Sequence, residues 1–292
     1  MKKHKLTAWL AAAAAGLSML GGTLPQAAVT ASAAGNCQME YLDRGISAIN
    51  TGSGMLVSWR FLANDSDSAV FQLYRNNTLI YTSNAGESTC YLDGSGKSTD
   101  QYRVDTVENG KVVSTSNCTM ISNQNYFQIN LDPPTGSGCT YSPNDCSVGD
   151  VDGDGVYEIF MKWDPSNSKD NSQKGKTGNV FIVCYRLDGT RLWRIDLGKN
   201  IRAGAHYTQF FVADFDCDGK AEMTCKTADG TVDGKGKVIG DASKDYRNSN
   251  GYVLSGPEYY TLFDGSTGAA LDTVNYEPSR GTVSKWGDSY GN

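Results

Sequence analysis

Short stretches that alternate apolar and polar residues run from residue 36 to about residue 122. The segments MLVSWRF and AVFQLYRNNTLIYTS predict strands, the second being a hairpin that turns at Asn76-Asn77. Another hairpin, QYRVDTVENGKVVSTS, turns at Asn109-Gly110, a pair that tolerates the positive φ of such turns. Turn signals at roughly every 8–12 residues indicate a small antiparallel β-sandwich, and Trp59 is the expected centre of its core.

The pattern changes after a predicted linker at 123–140, which contains Pro133-Pro134 and the sequence TGSG. From residue 141 the chain is rich in Asp-Gly hairpins, such as YRLDGTRLW and TLFDGSTGAAL. Repeated antiparallel units without helical periodicity indicate β-propeller blades. Residues 141–292 provide for two to three blades, whereas a closed propeller has about four to eight, so we expect the ring to be incomplete in this chain.

Two loops within this region repeat one acidic pattern, GDVDGDGVYEIF at 149–160 and DFDCDGKAE at 214–222. Three carboxylates at alternate positions repel one another unless a cation lies between them. Oxygen ligands followed by a glycine that permits the turn are typical of calcium sites. The predicted ligands are Asp150, Asp152, Asp154 and Glu158 in the first loop, and Asp214, Asp216, Asp218 and Glu222 in the second.

These loops are not EF-hands, because position 12 is Met161 in one loop and Cys225 in the other where an EF-hand has glutamate. Strand-like residues follow both loops, which predicts calcium loops within β-hairpins. The alternative is an acidic turn without metal. We expect the ion to act structurally by cross-linking turns that would otherwise repel each other.

The first residues have the features of a secretory signal peptide, assigned to residues 1–34. Three lysines precede the apolar run LTAWLAAAAAGLSML, which is shorter than the roughly 20 residues that a membrane span needs. A secreted protein without a membrane span is therefore expected. The formal charge is −6, and loss of the three lysines takes it to −9, which argues against a nucleic-acid partner.

All eight cysteines follow the predicted signal peptide, and an even number in an exported protein suggests disulfides. Cys139 and Cys146 are close enough in sequence to close a short loop. Cys184 and Cys225 lie within apolar stretches, where they could equally be free and buried. The sequence leaves the connectivity open.

Several long polar stretches after residue 141 have no packing reason, among them KWDPSNSKDNSQ, NIRAGAHYTQF, YRNSNGYVLSGPEYY and EPSRGTVSKWGDSYGN. Together with the first aspartate loop they resemble the rhamnogalacturonan lyases of polysaccharide lyase family 11. The sandwich, which resembles a fibronectin type III module in pattern, fits the domain that precedes the propeller there. The resemblance implies an eight-bladed, calcium-rich β-propeller that cleaves the rhamnose–galacturonate backbone of pectin by β-elimination.

The resemblance also implies site residues. Asn144 in YSPND and Asp164 in KWDPSN match positions that contact the sugar, although Asp164 could instead be a further calcium ligand. Further active-site parts, including calcium-binding histidines, are expected in blades beyond residue 292. Polar insertions at 164–178 and 228–257 are expected to border a groove, with solvated loops as the alternative.

The chemistry of elimination indicates a second set of candidates. Removing a weakly acidic proton beside a carboxylate requires a base within hydrogen-bond reach and a positive group that neutralises the carboxylate. The candidates are Arg202, His206, Lys162 and Lys226. Arg202 can hold a carboxylate with two hydrogen bonds; a surface charge is its alternative. A structural role is the alternative for the other three, since Lys162 and Lys226 occupy equivalent strand positions.

The sequence therefore predicts an all-β protein in four parts: a signal peptide at 1–34, a fibronectin-III-like sandwich at 35–122, a linker at 123–140 and part of a calcium-binding β-propeller at 141–292. The expected function is that of a secreted, monomeric, calcium-dependent rhamnogalacturonan lyase. The alternative is a non-enzymatic calcium propeller for adhesion or carbohydrate binding. A third outcome, a chain that neither folds nor acts because its ring is incomplete, is also open.

Overall fold

The computed structural model is all-β, as the sequence predicts. It describes residues 42–136, 138–204 and 206–283, and these contain eighteen β-strands and no α-helix. The predicted signal peptide lies outside the described residues. Within the part that is described, no helix has the length and apolar character to cross a membrane.

The first eight strands form two four-stranded sheets. In chain order they are β1 (Ser47–Asn50), β2 (Met55–Ser58), β3 (Val70–Arg75), β4 (Thr78–Thr82), β5 (Cys90–Asp93), β6 (Tyr102–Glu108), β7 (Lys111–Asn117) and β8 (Met120–Ser122). One sheet has the order β5-β2-β1-β8 and the other the order β4-β3-β6-β7. All pairs are antiparallel except β1 with β8, which is parallel.

Both sheets contribute to one hydrophobic cluster, because alternate residues of their strands point inward. Trp59 is buried in this cluster and packs edge-on against Phe71, with 5.8 Å between ring centroids. The turns lie where the sequence predicts them: Asn76, Asn77 and Asn109 all have positive φ, at 48°, 67° and 50°. The predicted hairpins and the predicted role of Trp59 are confirmed.

The remaining ten strands form two further antiparallel sheets. They are β9 (Tyr141–Gly149), β10 (Glu158–Pro165), β11 (Phe181–Tyr185), β12 (Arg191–Asp196), β13 (Phe210–Ala213), β14 (Glu222–Ala228), β15 (Thr231–Val232), β16 (Val238–Ile239), β17 (Glu258–Phe263) and β18 (Ala270–Asn275). The six-stranded sheet has the order β16-β15-β12-β11-β10-β9, and the four-stranded sheet the order β13-β14-β17-β18.

These two sheets pack together through the largest hydrophobic cluster, which includes Phe160, Ile182, Trp193, Met223 and Phe263. Strands β11–β12 and β17–β18 are the two Asp-Gly hairpins that the sequence predicts. A second, smaller cluster covers the other face of the six-stranded sheet.

The described residues of the predicted linker, 123–136 and 138–140, contain no strand, yet they are attached to the six-stranded sheet. Asp132 forms ion pairs with Arg191 and Arg194, and its carboxylate accepts a hydrogen bond from the Tyr185 hydroxyl at 3.0 Å. Leu131 packs against the smaller cluster on the same face. The linker is therefore part of the packed structure.

The insertion at 228–257 differs from a simple polar loop. It contains the hairpin β15–β16, and β15 pairs with the edge of the six-stranded sheet at Asp196 and Val232. A segment that follows β14 of one sheet thus extends the other sheet. The insertion also contacts the insertion at 164–178, because the Gly175 amide donates to the Asn250 carbonyl at 2.8 Å.

Six described cysteines are free: Cys90, Cys118, Cys139, Cys146, Cys184 and Cys225. The suggested bridge between Cys139 and Cys146 is absent, since Cys146 lies in the extended strand β9 and is exposed. Cys184 and Cys225 are buried in the core, which is the alternative the sequence left open. Cys217 is disulfide-bonded.

Candidate functional site

The two aspartate loops have matching geometry and connect β9 to β10 and β13 to β14. The Asp150 carboxylate is fully buried and accepts hydrogen bonds from the amides of Gly153 and Gly155, at 2.7 and 2.8 Å. The Asp214 carboxylate accepts from the amides of Asp218 and Gly219, at 3.1 and 2.9 Å. Backbone donors thus fix the first aspartate of each loop before any ion binds.

The glutamates that follow the loops also occupy equivalent positions. Glu158 accepts from the Val151 amide at 3.1 Å, and Glu222 accepts from the Phe215 amide at 2.8 Å. Burial raises the pKa of both carboxyls, and the neighbouring aspartates of each loop raise it further, to about 7 for Glu222. This electrostatic strain is what a bound cation would relieve.

The carboxylate oxygens are grouped closely enough to share one ion. Oxygens of Asp150, Asp152 and Glu158 lie within 4.8 Å of one another, as do oxygens of Asp214, Asp216 and Asp218. Asp154 and Glu222 lie outside these two groups. Their carboxylates accept from the backbone amides of Val156 and Phe215, respectively.

The surroundings of Asp152 indicate whether a cation fits the first aspartate loop. One of its carboxylate oxygens pairs with Arg186 at 3.1 Å, whereas the other is buried and has no hydrogen-bond partner among the described residues. Hard carboxylate oxygens in this arrangement suit Ca²⁺. The loops therefore fit calcium, and the eight predicted ligands remain predictions.

The sugar-contact candidates lie at the opposite end of the six-stranded sheet. Glu158 begins β10 beside the first aspartate loop, and Asp164 lies six residues further along the same strand. At about 3.3 Å per residue the two are about 20 Å apart. A cation in this loop cannot contact a sugar held at Asp164, which supports a structural role for the loop.

Asp164 retains an unused acceptor. One carboxylate oxygen accepts from the Ser168 hydroxyl at 2.9 Å, and the other is buried without a hydrogen-bond partner in the described part of the chain. Asn144 is half-buried on β9, and its side-chain oxygen accepts from the Asp145 amide at 2.7 Å. Its side-chain amide group is thereby oriented by the backbone that follows it.

Lys162 lies within the sheet at this end and is 1% exposed. Its ammonium group donates to the Asp145 carboxylate at 2.6 Å and to the Tyr207 carbonyl at 2.9 Å. Both contacts are to groups of the protein.

Arg202 is also held by the protein. Its guanidinium donates to the carbonyls of Asp170, at 3.1 Å, and Gln173, and it lies over the Tyr252 ring at 4.8 Å from the ring centroid. Burial lowers its pKa from the usual arginine value. These contacts join the insertions at 164–178 and 228–257. Binding of a sugar carboxylate by Arg202 stays a prediction.

The other two candidates differ in surroundings. His206 is exposed beside Tyr207 at the same end of the sheets. Lys226, on β14, forms an ion pair with Glu258, which also pairs with Arg280 at 2.8 Å. Burial raises the pKa of Glu258, but hydrogen bonds from these two cations outweigh it and leave the pKa lowered.

The structure thus brings five of the six predicted catalytic and sugar-contact residues to the distal end of the six-stranded sheet: Asn144, Lys162, Asp164, Arg202 and His206. Lys226 belongs to the four-stranded sheet and has different partners. The sequence reasoning missed Asp145 and Tyr207, which bind Lys162. Asp145 is part of the YSPND motif, which was the only signal that pointed to it.

Two family models match this chain. The model described as rhamnogalacturonan lyase family 11, C-terminal domain, matches residues 126–292. The model described as rhamnogalacturonan I lyases beta-sheet domain matches residues 37–121.

Among curated proteins, the chain is 56% identical over 261 residues to rhamnogalacturonan endolyase YesW of Bacillus subtilis (strain 168), covering 87% of this chain and 42% of that protein. It is 54% identical to rhamnogalacturonan exolyase YesX of the same organism, covering 87% and 43%. The chain therefore spans less than half the length of these curated relatives.

Solved structures of rhamnogalacturonan lyases are also similar to this chain. The chain superposes on crystalline YesW with a TM-score of 0.82 at 56% identity, covering 87% of this chain and 45% of that one. For the Bacillus licheniformis rhamnogalacturonan lyase PL11 the TM-score is 0.80 at 55% identity, with the same two coverages.

Proposed function

The chain belongs to rhamnogalacturonan lyase family 11, and we propose that it acts in cleaving the rhamnose–galacturonate backbone of pectin by β-elimination. The observation that carries this proposal is the similarity to both an endolyase and an exolyase over most of this chain. The half-buried side chains of Asn144 and Asp164 at the polar end of the six-stranded sheet support this proposal.

The reaction is one elimination. A base takes the proton from the ring carbon that bears the galacturonate carboxylate, and its electron pair forms a carbon–carbon double bond in the sugar ring. The bond to the glycosidic oxygen breaks, and that oxygen takes up a proton and leaves as a hydroxyl group. Positive groups stabilise the negative charge that develops on the carboxylate. Of the four predicted catalytic residues, His206 is exposed, whereas Lys162 and Arg202 are buried against protein acceptors.

Within this chain we assign the sugar contacts to Asn144 and Asp164. Asp164 is half-buried, and its carboxylate can accept a hydrogen bond from a sugar hydroxyl. The oriented amide of Asn144 can donate to or accept from a second hydroxyl. The alternative use of Asp164 as a calcium ligand remains open to the same experiments.

Calcium is proposed to bind both aspartate loops and to stabilise the hairpins there. Supporting features are the grouped carboxylate oxygens and the buried Asp152 oxygen, which has no hydrogen-bond partner among the described residues. At these two loops the ion stabilises the β-hairpins and takes no part in the reaction. Its distance from Asp164 separates it from the sugar chemistry proposed here.

The finer architecture is also a proposal. Strand orders β5-β2-β1 and β4-β3-β6-β7 in the first two sheets support a fibronectin-III-like sandwich at 35–122. Successive antiparallel strands in the two later sheets support propeller blades at 141–292, with a linker at 123–140. Secretion, with a signal peptide at 1–34, and a monomeric state are proposed from the sequence.

The products of a digest test the proposed reaction. The protein encoded by the complete reading frame is incubated with rhamnogalacturonan, and the oligosaccharides are analysed by mass spectrometry. Elimination leaves an unsaturated uronate end that is one water lighter than the product of hydrolysis. Binding of the polymer without any cleavage would instead support the non-enzymatic alternative.

A further inference from the structure

Asn144 lies in an irregular part of the β9–β10 ladder. The register of these strands shifts between Met161 and Trp163. As a result one residue of β10, Lys162, faces two residues of β9, Asn144 and Asp145. Such β-bulges redirect side chains and are over-represented beside active sites.

The Lys162 ammonium group fixes one arm of this bulge. It is buried, and its contact with the Asp145 carboxylate is a short, charge-assisted hydrogen bond of 2.6 Å. An ion pair with one exposed partner is weak evidence for stability, because solvent and salt screen the attraction. The pair is better explained by the conformation that it imposes on the bulge.

The second contact of the ammonium links the bulge to neighbouring segments. The Tyr207 carbonyl accepts from Lys162 at 2.9 Å, and the Tyr207 hydroxyl accepts from the Asn171 amide at 2.9 Å. Asn171 belongs to the polar insertion at 164–178. Lys162 therefore connects the strand that carries Asn144 with the segment next to His206.

We propose that Lys162 and Asp145 form a positioning pair that fixes the bulge and directs Asn144 toward the sugar. The inference depends on the proposed function, since it assigns the sugar contact to Asn144. Lys162 acts through Asn144 and not on the reacting atoms, because its ammonium is almost completely buried between two protein acceptors. Asp145, whose side chain is 54% exposed, holds the ammonium from the solvent side.

A double-mutant cycle tests this dependence in the protein encoded by the complete reading frame. Lys162→Met removes the ammonium and retains a long side chain. We expect it to lower kcat/KM on rhamnogalacturonan about tenfold in the wild-type background, but less than about twofold when Asn144→Ala is already present. Equal losses in both backgrounds would overturn the proposal.

Two further variants separate positioning from folding. Asp145→Asn, at an exposed side chain, should show the same dependence on Asn144 if Lys162→Met fails to fold. Arg103→Met removes an ion pair with Asp105 in the sandwich and should leave kcat/KM unchanged. A comparable loss from Arg103→Met would show that any lost ion pair reduces activity, which contradicts the proposal.

A second measurement is independent of catalysis. The side-chain amide resonances of Asn144, observed by NMR, should shift in Lys162→Met and in Asp145→Asn. Unchanged resonances would overturn the positioning pair even in an active enzyme. A wild-type protein without lyase activity would refute the proposed function, while the resonances would still decide whether the pair positions Asn144.

Discussion

At the scale of single residues, this protein uses buried carboxylates in two ways. Asp150 is satisfied by backbone amides, which prepares the loop for an ion. Asp164 keeps a buried oxygen without a partner among the described residues, at the other end of the sheet. Leaving a buried acceptor unsatisfied costs about 1–3 kcal/mol, so a ligand that donates to this oxygen recovers that free energy on binding.

The role of Asp164 is tested by Asp164→Asn. The amide retains the shape but carries no charge and presents one oxygen instead of two, so a donating sugar hydroxyl is bound less tightly. We expect KM for rhamnogalacturonan to rise about tenfold. The matched control is Asp188→Asn, an exposed aspartate in a hairpin turn, for which KM should not change. Equal KM values for wild type and Asp164→Asn would contradict the assignment.

The pKa of Glu222 gives a pH dependence with a defined sign. Burial and the nearby aspartates raise it from 4.5 to about 7 in the folded protein. Between these values the folded state holds a proton that the unfolded state has lost, so the free energy of unfolding falls as pH rises. Glu158, with a raised pKa of the same origin, adds to this fall.

Melting temperatures measured from about pH 5 to about pH 7 test this expectation. In a chelator Tm should fall across the window, and in excess calcium the fall should disappear because the ion replaces the proton. Glu222→Gln, measured in the chelator, should reduce the slope. A Tm that rises with pH in the chelator would contradict the account of the loop.

At the scale of elements, strand β10 separates the first aspartate loop from the proposed sugar contacts. It begins with Glu158 at the first aspartate loop and ends with Asp164 and Pro165 beside the proposed sugar contacts. The hairpin β15–β16 then widens the same sheet on its far edge. Rigid strands thereby hold both ends at a fixed separation, which loops alone could not do.

Docking of this hairpin is tested by Gly198→Ala. Gly198 has a φ of 77°, and a Cβ atom there would lie 2.7 Å from the Gly230 carbonyl oxygen, next to β15. The matched control is Gly110→Ala, with a φ of 74° and open space around it. The control should cost about 1 kcal/mol from φ alone, and Gly198→Ala at least about 1 kcal/mol more. Equal losses of unfolding free energy in urea would show that the hairpin is not docked.

The elements also show what the sequence could predict. The turn at Asn76-Asn77 and the two aspartate loops are formed by residues adjacent in sequence, so the sequence pattern is sufficient to predict them. The bulge at Asn144 and Asp145 depends on the β9–β10 register, which pairs residues far apart in sequence. Likewise, Arg202 binds carbonyls about thirty positions away. Local patterns carry no information about such partners.

At the scale of the whole molecule, the described residues form four sheets, and the acidic loops are separated from the polar insertions. The two aspartate loops connect adjacent strands at one end of the last two sheets, and the polar insertions at 164–178 and 228–257 contact each other. In this negatively charged chain, ions bound at the two loops would neutralise their carboxylates, whereas Lys162, Arg202 and Lys226 are each held by groups of the protein.

The most direct measurement is the ultraviolet absorbance of unsaturated uronate ends, recorded while the protein encoded by the complete reading frame digests rhamnogalacturonan in calcium. We expect a steady rise in absorbance, which a chelator should abolish and restored calcium should recover. No rise with the folded, calcium-loaded protein would contradict the assignment as a rhamnogalacturonan lyase.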